Sequence, residues 1–237
     1  MHGYPRAGIS PRVGQAIGEV LSFGVGVALS PIPIIGVVLM LGTPRARANG
    51  PAFVAGWVAG ILVVGGIVLA VSSGAGASDG GQPSDGLSAL KVALGVLLAL
   101  IALRQWRARP RPGEQPEPAK WMQTIDSFTA PRSAALAVAL SAINPKNLLL
   151  IVGATAAIAQ TGAATGDQIV ALVVFCAIAT AGVGVPVVLY FALGERSKQT
   201  LDALKDRMTS NNGAIMAAVC LIIGAKLIGD GISGLSL

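Results

Sequence analysis

Ala139-Leu140-Ser141-Ala142-Ile143-Asn144-Pro145-Lys146-Asn147 is the stretch on which the fold turns. It sits within a long apolar run, yet it carries a proline, two amides and a lysine. Proline lacks a backbone donor and clashes with the preceding turn, so a helix cannot pass through it undisturbed. Asn144 suits an N-cap and Pro145 the first position of a helix, which places Lys146 in the first turn of the helix that follows. The stretch Ala28-Leu29-Ser30-Pro31-Ile32-Pro33 repeats this grammar 111 residues earlier, with four of its first five positions identical. Two helices should therefore break at matching places.

The surroundings set the class. Of 237 residues, 53% are hydrophobic and 12% charged, about half the charge of a soluble domain. Mean hydropathy is +0.71. Six apolar stretches, near 14–41, 51–72, 87–106, 133–160, 168–194 and 213–232, approach or exceed the roughly 20 residues that a helix needs to cross a bilayer. The first is too long for a signal-peptide core of 7–15 residues and reads as an uncleaved span. The expected fold is thus an all-α integral membrane protein of six transmembrane helices. Cys176 and Cys220 fall inside spans and read as small buried hydrophobes. With His2 as the only histidine, neither a Cys/His metal site nor a nucleophile–histidine pair can form. Neither an enzyme nor a cofactor is expected.

Between spans lie Gly42-Thr43-Pro44-Arg45, the stretch 72–86, and a Pro/Arg/Glu-rich segment from Arg107 to Pro118. The last divides the chain into a first three-helix unit (1–106), a linker (107–132) and a second three-helix unit (133–237). Within the linker, Trp121, Met122, Ile125 and Phe128 have the spacing of a short helix on the membrane surface; a plain loop is the alternative. The loops after spans one, three and five hold twelve lysines and arginines: Arg45 and Arg47; Arg104, Arg107, Arg109, Arg111, Lys120 and Arg132; Arg196, Lys198, Lys205 and Arg207. The opposite side has Arg6 and Arg12 in the tail, while its two loops hold only Asp79, Asp85 and Asp167. The positive-inside rule puts the basic loops in the cytoplasm and both termini outside. This distribution also speaks against nucleic acid as the reason for a net charge of +6.

Three helices per half makes the second half inverted relative to the first, with spans one and four, the first of each half, broken at mid-membrane. Irregular backbone survives there only against protein or a wet cavity, and paired breaks in inverted halves point to a transporter's substrate site. Packing kinks are the bland alternative. The half-helices after each break would start near the midplane with their positive dipole ends facing one another. With Lys146 beside them they would form an anion site. An intramembrane lysine is costly and functional by default; snorkelling is its other reading. Candidate substrate-binding residues are Ser30, Pro31, Pro33, Ser141, Asn144, Pro145, Lys146 and Asn147. Glu19, Lys91, Lys226 and Asp230 gather toward the outer side. There Glu19 would pair with Lys91 or Lys226, for structure or as an outer gate.

Taken together, Ala-Leu-Ser-Pro-Ile-Pro at 28–33, Thr-Pro-Arg-Ala-Arg-Ala at 43–48, Gly-Trp at 56–57, Lys-Trp-Met at 120–122 and Asn-Pro-Lys-Asn-Leu at 144–148 resemble the sulfolipid- and glycopeptidolipid-addressing proteins of mycobacteria (GAP or Sap proteins), within the lysine-exporter (LysE-type) superfamily. The resemblance implies a plasma-membrane protein that aids export of a cell-envelope glycolipid. Membrane lipids, a glycolipid substrate, a lipid synthesis or export complex and a homo-oligomer are the partners this reading admits. No Gly-x-x-x-x-Gly-Lys-Ser/Thr loop occurs, so energy would come from a gradient or a partner. Two alternatives stand beside it, an exporter of amino acids or other small solutes and a non-transporting scaffold of a lipid-export complex. A thiol–electron carrier would need a cysteine near the breaks, and spans one and four contain none.

Overall fold

The computed structural model describes residues 11–74, 85–108 and 120–235. His2, Arg6, Asp79, Arg109 and Arg111, together with most of the Pro-rich linker, lie outside the described residues. Among the described residues eight α-helices follow in order: α1 (Pro11–Ala28), α2 (Pro31–Leu41), α3 (Ala46–Gly74), α4 (Asp85–Arg107), α5 (Ala130–Val138), α6 (Pro145–Gln160), α7 (Thr165–Leu193) and α8 (Lys198–Gly234). There is no strand among the described residues.

Both expected breaks are present. α1 and α2 meet at 54°, while α5 and α6, joined by a π-helical segment at Ala139–Ile143, meet at 64°. Three unbroken stretches are long and apolar enough to cross a membrane, namely Ala46–Ser72, Ser88–Arg107 and Thr165–Gly234, and each bent pair adds one. The described part thus holds three to five candidate spans.

One expectation needs correction. The last helix starts at Lys198, not near 213. Residues 198–212 contain neither glycine nor proline. Lys205 Nζ reaches Asp202 at 3.2 Å, and Thr209, Ser210 and Asn211 bond back to carbonyls one turn earlier. The supposed basic loop is therefore largely a polar extension of α8. Of the two readings of 121–128, the short helix holds rather than the plain loop: the segment falls in a 3-10 helix, Lys120–Ser127. Its Ile125 is buried in the helical core, and Asn49 Nδ2 donates to the Phe128 carbonyl at 3.0 Å.

Apolar side chains cover the surface as well as the core, and a few polar groups are buried within. Val63, Ile67 and Val71 on α3, Val188 on α7 and Ile222 on α8 point outward and are well exposed, whereas Ser30, Ser141, Lys146, Asn147 and Thr155 are buried. Helices that are apolar all round suit a hydrocarbon solvent. Close approach relies on glycine, as expected where packing rather than hydrophobic exclusion drives association. α4 packs most extensively on α8, α1 on α7 and α3 on α5. A Cβ on Gly95 would sit 2.7 Å from the Gly224 carbonyl oxygen, and one on Gly231 would sit 2.8 Å from that of Ser88. α4 and α8 are therefore antiparallel with their backbones nearly touching.

Candidate functional site

The two breaks face each other, and each supplies what the other lacks. At the end of α1, Ser30 N turns to the Val27 carbonyl (3.1 Å). Pro31 has no N–H for that carbonyl, and the Gly26 carbonyl is left without its usual donor four residues on. Lys146 Nζ fills the gap, donating to Gly26 O at 2.9 Å and to Ser30 Oγ at 2.6 Å. At the second break, Asn144 N donates to Ala139 O (3.1 Å), the i→i−5 bond of the π segment. Pro145 again offers no N–H, so the Leu140 carbonyl is free, and Asn147 Nδ2 donates to it at 2.9 Å. Ser30 closes the network by donating its hydroxyl proton to Asn147 Oδ1 at 2.8 Å. Lys146 is 2% exposed and Asn147 fully buried.

The expected site residues divide accordingly. Ser30, Lys146 and Asn147 come together. Asn144 accepts a hydrogen bond from Lys146 N at 3.1 Å and is the N-cap that its sequence context suggests. Ser30 occupies the N-cap position of α2 but makes no capping bond, because its hydroxyl is committed across the break. Ser141 stays within its own segment, its hydroxyl on Val138 O (3.2 Å) and packed against Gly60. Pro145 is exposed on the outside, while Pro31 and Pro33 are buried in the first turn of α2.

The prolines also limit what the helix ends can bind. In α2, Pro31 and Pro33 have no N–H and Ile34 N bonds to Ser30 O (3.3 Å), which leaves only the Ile32 N–H in the first turn. In α6, Pro145 lacks the donor, Lys146 N is capped and Leu148 N bonds to Asn144 O (2.9 Å), which leaves that of Asn147. The two termini are poorer in donors than paired helix ends would be, so the strength of any anion site here resides in the Lys146 ammonium. No carboxylate lies within ion-pair distance of that ammonium among the described residues.

The seat of each break is a glycine on the other half. A Cβ on Gly182 of α7 would collide with the Ala28 carbonyl oxygen, and one on Gly60 of α3 with Ser141 Oγ. Trp57 Nε1 links α3 to the Ala179 carbonyl of α7 at 3.3 Å. Sequence reasoning missed the Gly26 and Leu140 carbonyls, although a proline within five residues downstream marks carbonyls that lose their donors.

The outer cluster is real as geometry. Lys226 Nζ contacts Glu19 Oε2 at 2.9 Å and Asp230 Oδ2 at 2.5 Å, and it lies 5.6 Å from the Phe23 ring centre. Of the two partners expected for Glu19, Lys226 is the one in contact. Lys91 lines the same cleft of about 270 Å³ without an ion pair of its own among the described residues.

A helical protein with three to five candidate spans and two broken helices tied by one buried lysine is compatible with the class of membrane proteins. The sulfolipid-1-addressing protein family (Sap) matches the chain over residues 20–233, a stretch that contains both breaks, and the chain belongs to that family. Searches of curated proteins and of solved structures gave no match.

Proposed function

We propose that this protein carries a cell-envelope glycolipid with an anionic head group across or out of the plasma membrane, and that the junction of the two breaks is where the head group binds. The family's printed description, sulfolipid-1-addressing protein, supports the substrate class. The observation that carries the site is Lys146, a buried ammonium with two neutral acceptors and no carboxylate partner among the described residues. An isolated charge of this kind is expensive inside a membrane. An anionic group would compensate it, whereas a solute whose only charge is positive would not; the exporter of amino acids or other small solutes ranks second on the family's printed description.

The architecture proposed with it has six spans in two inverted halves, 1–106 and 133–237, joined by 107–132. Three features support it. The run Thr165–Gly234 is far too long for one crossing and turns at Gly194, whose φ of +55° is a left-handed conformation that glycine adopts without strain. Exchanging the halves maps α1 on α7 into α5 on α3, both of which are major contacts, and maps α4 on α8 onto itself. The break glycines, Gly182 and Gly60, exchange in the same sense. Termini outside, basic ends inside and kinship with lysine exporters are parts of the same proposal.

The test measures glycolipid at the cell surface against glycolipid retained in the inner membrane, in cells whose own copy is deleted and replaced by variants. Lys146→Met should leave the protein in the membrane and the lipid inside. Asn147→Ala disturbs the same network but keeps the charge, so it should retain part of the export. Normal surface lipid with a folded Lys146→Met protein sinks the proposal. Equal loss in both variants would reduce Lys146 to a structural tie.

A further inference from the structure

Outside the break junction, one surface combines an apolar groove with concentrated positive charge. Leu97, Leu100 and Ile101 of α4 form one wall, and Ile143, Pro145 and Leu149 at the α5–α6 break form the other, enclosing about 410 Å³ that opens sideways. Arg104 stands at one end. From there a second hollow of about 450 Å³ continues past Leu103 to Arg107. Leu97, Leu100 and Ile143 are 47%, 57% and 70% exposed, a costly arrangement in water and a favourable one against hydrocarbon.

We infer that this groove binds one anionic membrane lipid, its acyl chain along the leucines and its head group on Arg104 and Arg107. The inference does not depend on the Lys146 site. Length supports it: from Leu97 to Arg107 the helix rises about 15 Å at ~1.5 Å per residue, half of a hydrocarbon core of ~30 Å. The groove thus spans one leaflet, with apolar walls at acyl depth and guanidinium groups at head-group depth. Charge supports it too, because two arginines one helical turn apart (i, i+3) present forked donors that fit phosphate or sulfate oxygens. The neighbouring linker is a poor occupant: residues 109–119, Arg-Pro-Arg-Pro-Gly-Glu-Gln-Pro-Glu-Pro-Ala, have no large apolar side chain to fill it.

The test uses the full-length protein in phosphatidylcholine vesicles with nitroxide-labelled phosphatidylglycerol or nitroxide-labelled phosphatidylcholine. Electron paramagnetic resonance gives the fraction of each held motionally restricted at the protein. The anionic lipid should be preferred. Arg104→Gln with Arg107→Gln should cut that preference about 25-fold, at roughly five-fold per arginine lost, and Leu100→Trp, which fills the mouth, should lower it as well. Arg45→Gln with Arg47→Gln removes two exposed positive charges elsewhere and should change nothing. Glycerol phosphate, a head group without chains, should not compete. The inference is overturned if neither lipid is restricted, as when a second copy covers the groove. It is overturned equally if the Arg104/Arg107 variant keeps the preference, if the Arg45/Arg47 variant loses it as strongly, or if glycerol phosphate competes as well as lipid.

Discussion

Replacing Ser30 with alanine removes one oxygen that does two things. Ser30 Oγ accepts from Lys146 Nζ at 2.6 Å and donates to Asn147 Oδ1 at 2.8 Å, and it is 2% exposed, so water does not replace it. Interhelical hydrogen bonds in membrane proteins average about 0.6 kcal/mol and reach about 1.7 kcal/mol. The neutral Ser30–Asn147 bond belongs near the lower figure and the short bond from Lys146 near the upper, giving about 2 kcal/mol for Ser30→Ala. The distinctive part is the coupling. In a double-mutant cycle Ser30→Ala should couple to Lys146→Met by about 1.5 kcal/mol and to Asn147→Ala by about 0.6 kcal/mol, against an additivity error of about 0.3–0.5 kcal/mol. Leu29→Ala, next door and 43% exposed, should couple to neither. Unfolding in mixed detergent micelles, followed by tryptophan fluorescence, reads all of these. Additivity of Ser30→Ala with Lys146→Met within about 0.5 kcal/mol would refute the idea that the breaks are tied through this hydroxyl.

Further outcomes are expected from the packing and the charges. Gly182→Ala drives a methyl into the Ala28 carbonyl, which is backbone, and should cost about 3 kcal/mol or prevent folding; Gly60→Ala meets the hydroxyl of Ser141 and should be milder and largely rescued by Ser141→Ala, both read in the same unfolding assay. Gly66→Ala, which has open space around its Cβ, should instead stabilise by about 0.5–1 kcal/mol. Lys226→Met leaves Glu19 and Asp230 facing one another without their shared cation; it should destabilise more than the pair Lys226→Met with Glu19→Gln, and the reverse order would show that the cluster contributes no net attraction. For orientation, a cysteine in place of exposed Thr165 should react with impermeant maleimide in intact cells and one in place of exposed Glu195 should not, Cys176 and Cys220 being buried.

The breaks were legible because each proline follows a residue that suits a helix N-cap; proline alone does not end a helix, since Pro186 lies inside α7. Ser30-Pro31 and Asn144-Pro145 end helices for a reason internal to the backbone, and the capping role of Asn144 follows from its place before Pro145. What Ser30 does was not legible. In α2 the same Ser-Pro grammar gives no cap, because the Lys146 ammonium and the Asn147 amide, more than 100 residues away, hold the hydroxyl. The start of α8 was missed for a different reason. Hydropathy detects where hydrocarbon begins, near Gly213, but a helix propagates on hydrogen bonds and propensity, and nothing from Lys198 to Asn212 stops it. Likewise the spacing of Trp121, Ile125 and Phe128 records that one side of the segment is apolar. It does not distinguish a lipid surface from the helical core on which Ile125 is buried.

The network that closes the junction also dictates how a ligand would open it. Lys146, Ser30, Asn147 and the Gly26 and Leu140 carbonyls hydrogen-bond to one another, so under the proposed function a substrate would have to compete with this network. A ligand shifts a conformational equilibrium only by binding the open form better than the closed one. A neutral sugar hydroxyl would offer Lys146 an acceptor no better than the Ser30 hydroxyl it already holds, and would gain little. A sulfate or phosphate oxygen carries charge, and a charge-assisted bond is roughly twice as strong as a neutral one. Taking Lys146 away from Gly26 O and Ser30 Oγ would also untie the end of α1 from the start of α6, the joint at which the two bent pairs are held together. On this reading the anionic group is the part of the lipid that converts binding into movement, while the apolar remainder sets only where in the membrane the lipid waits.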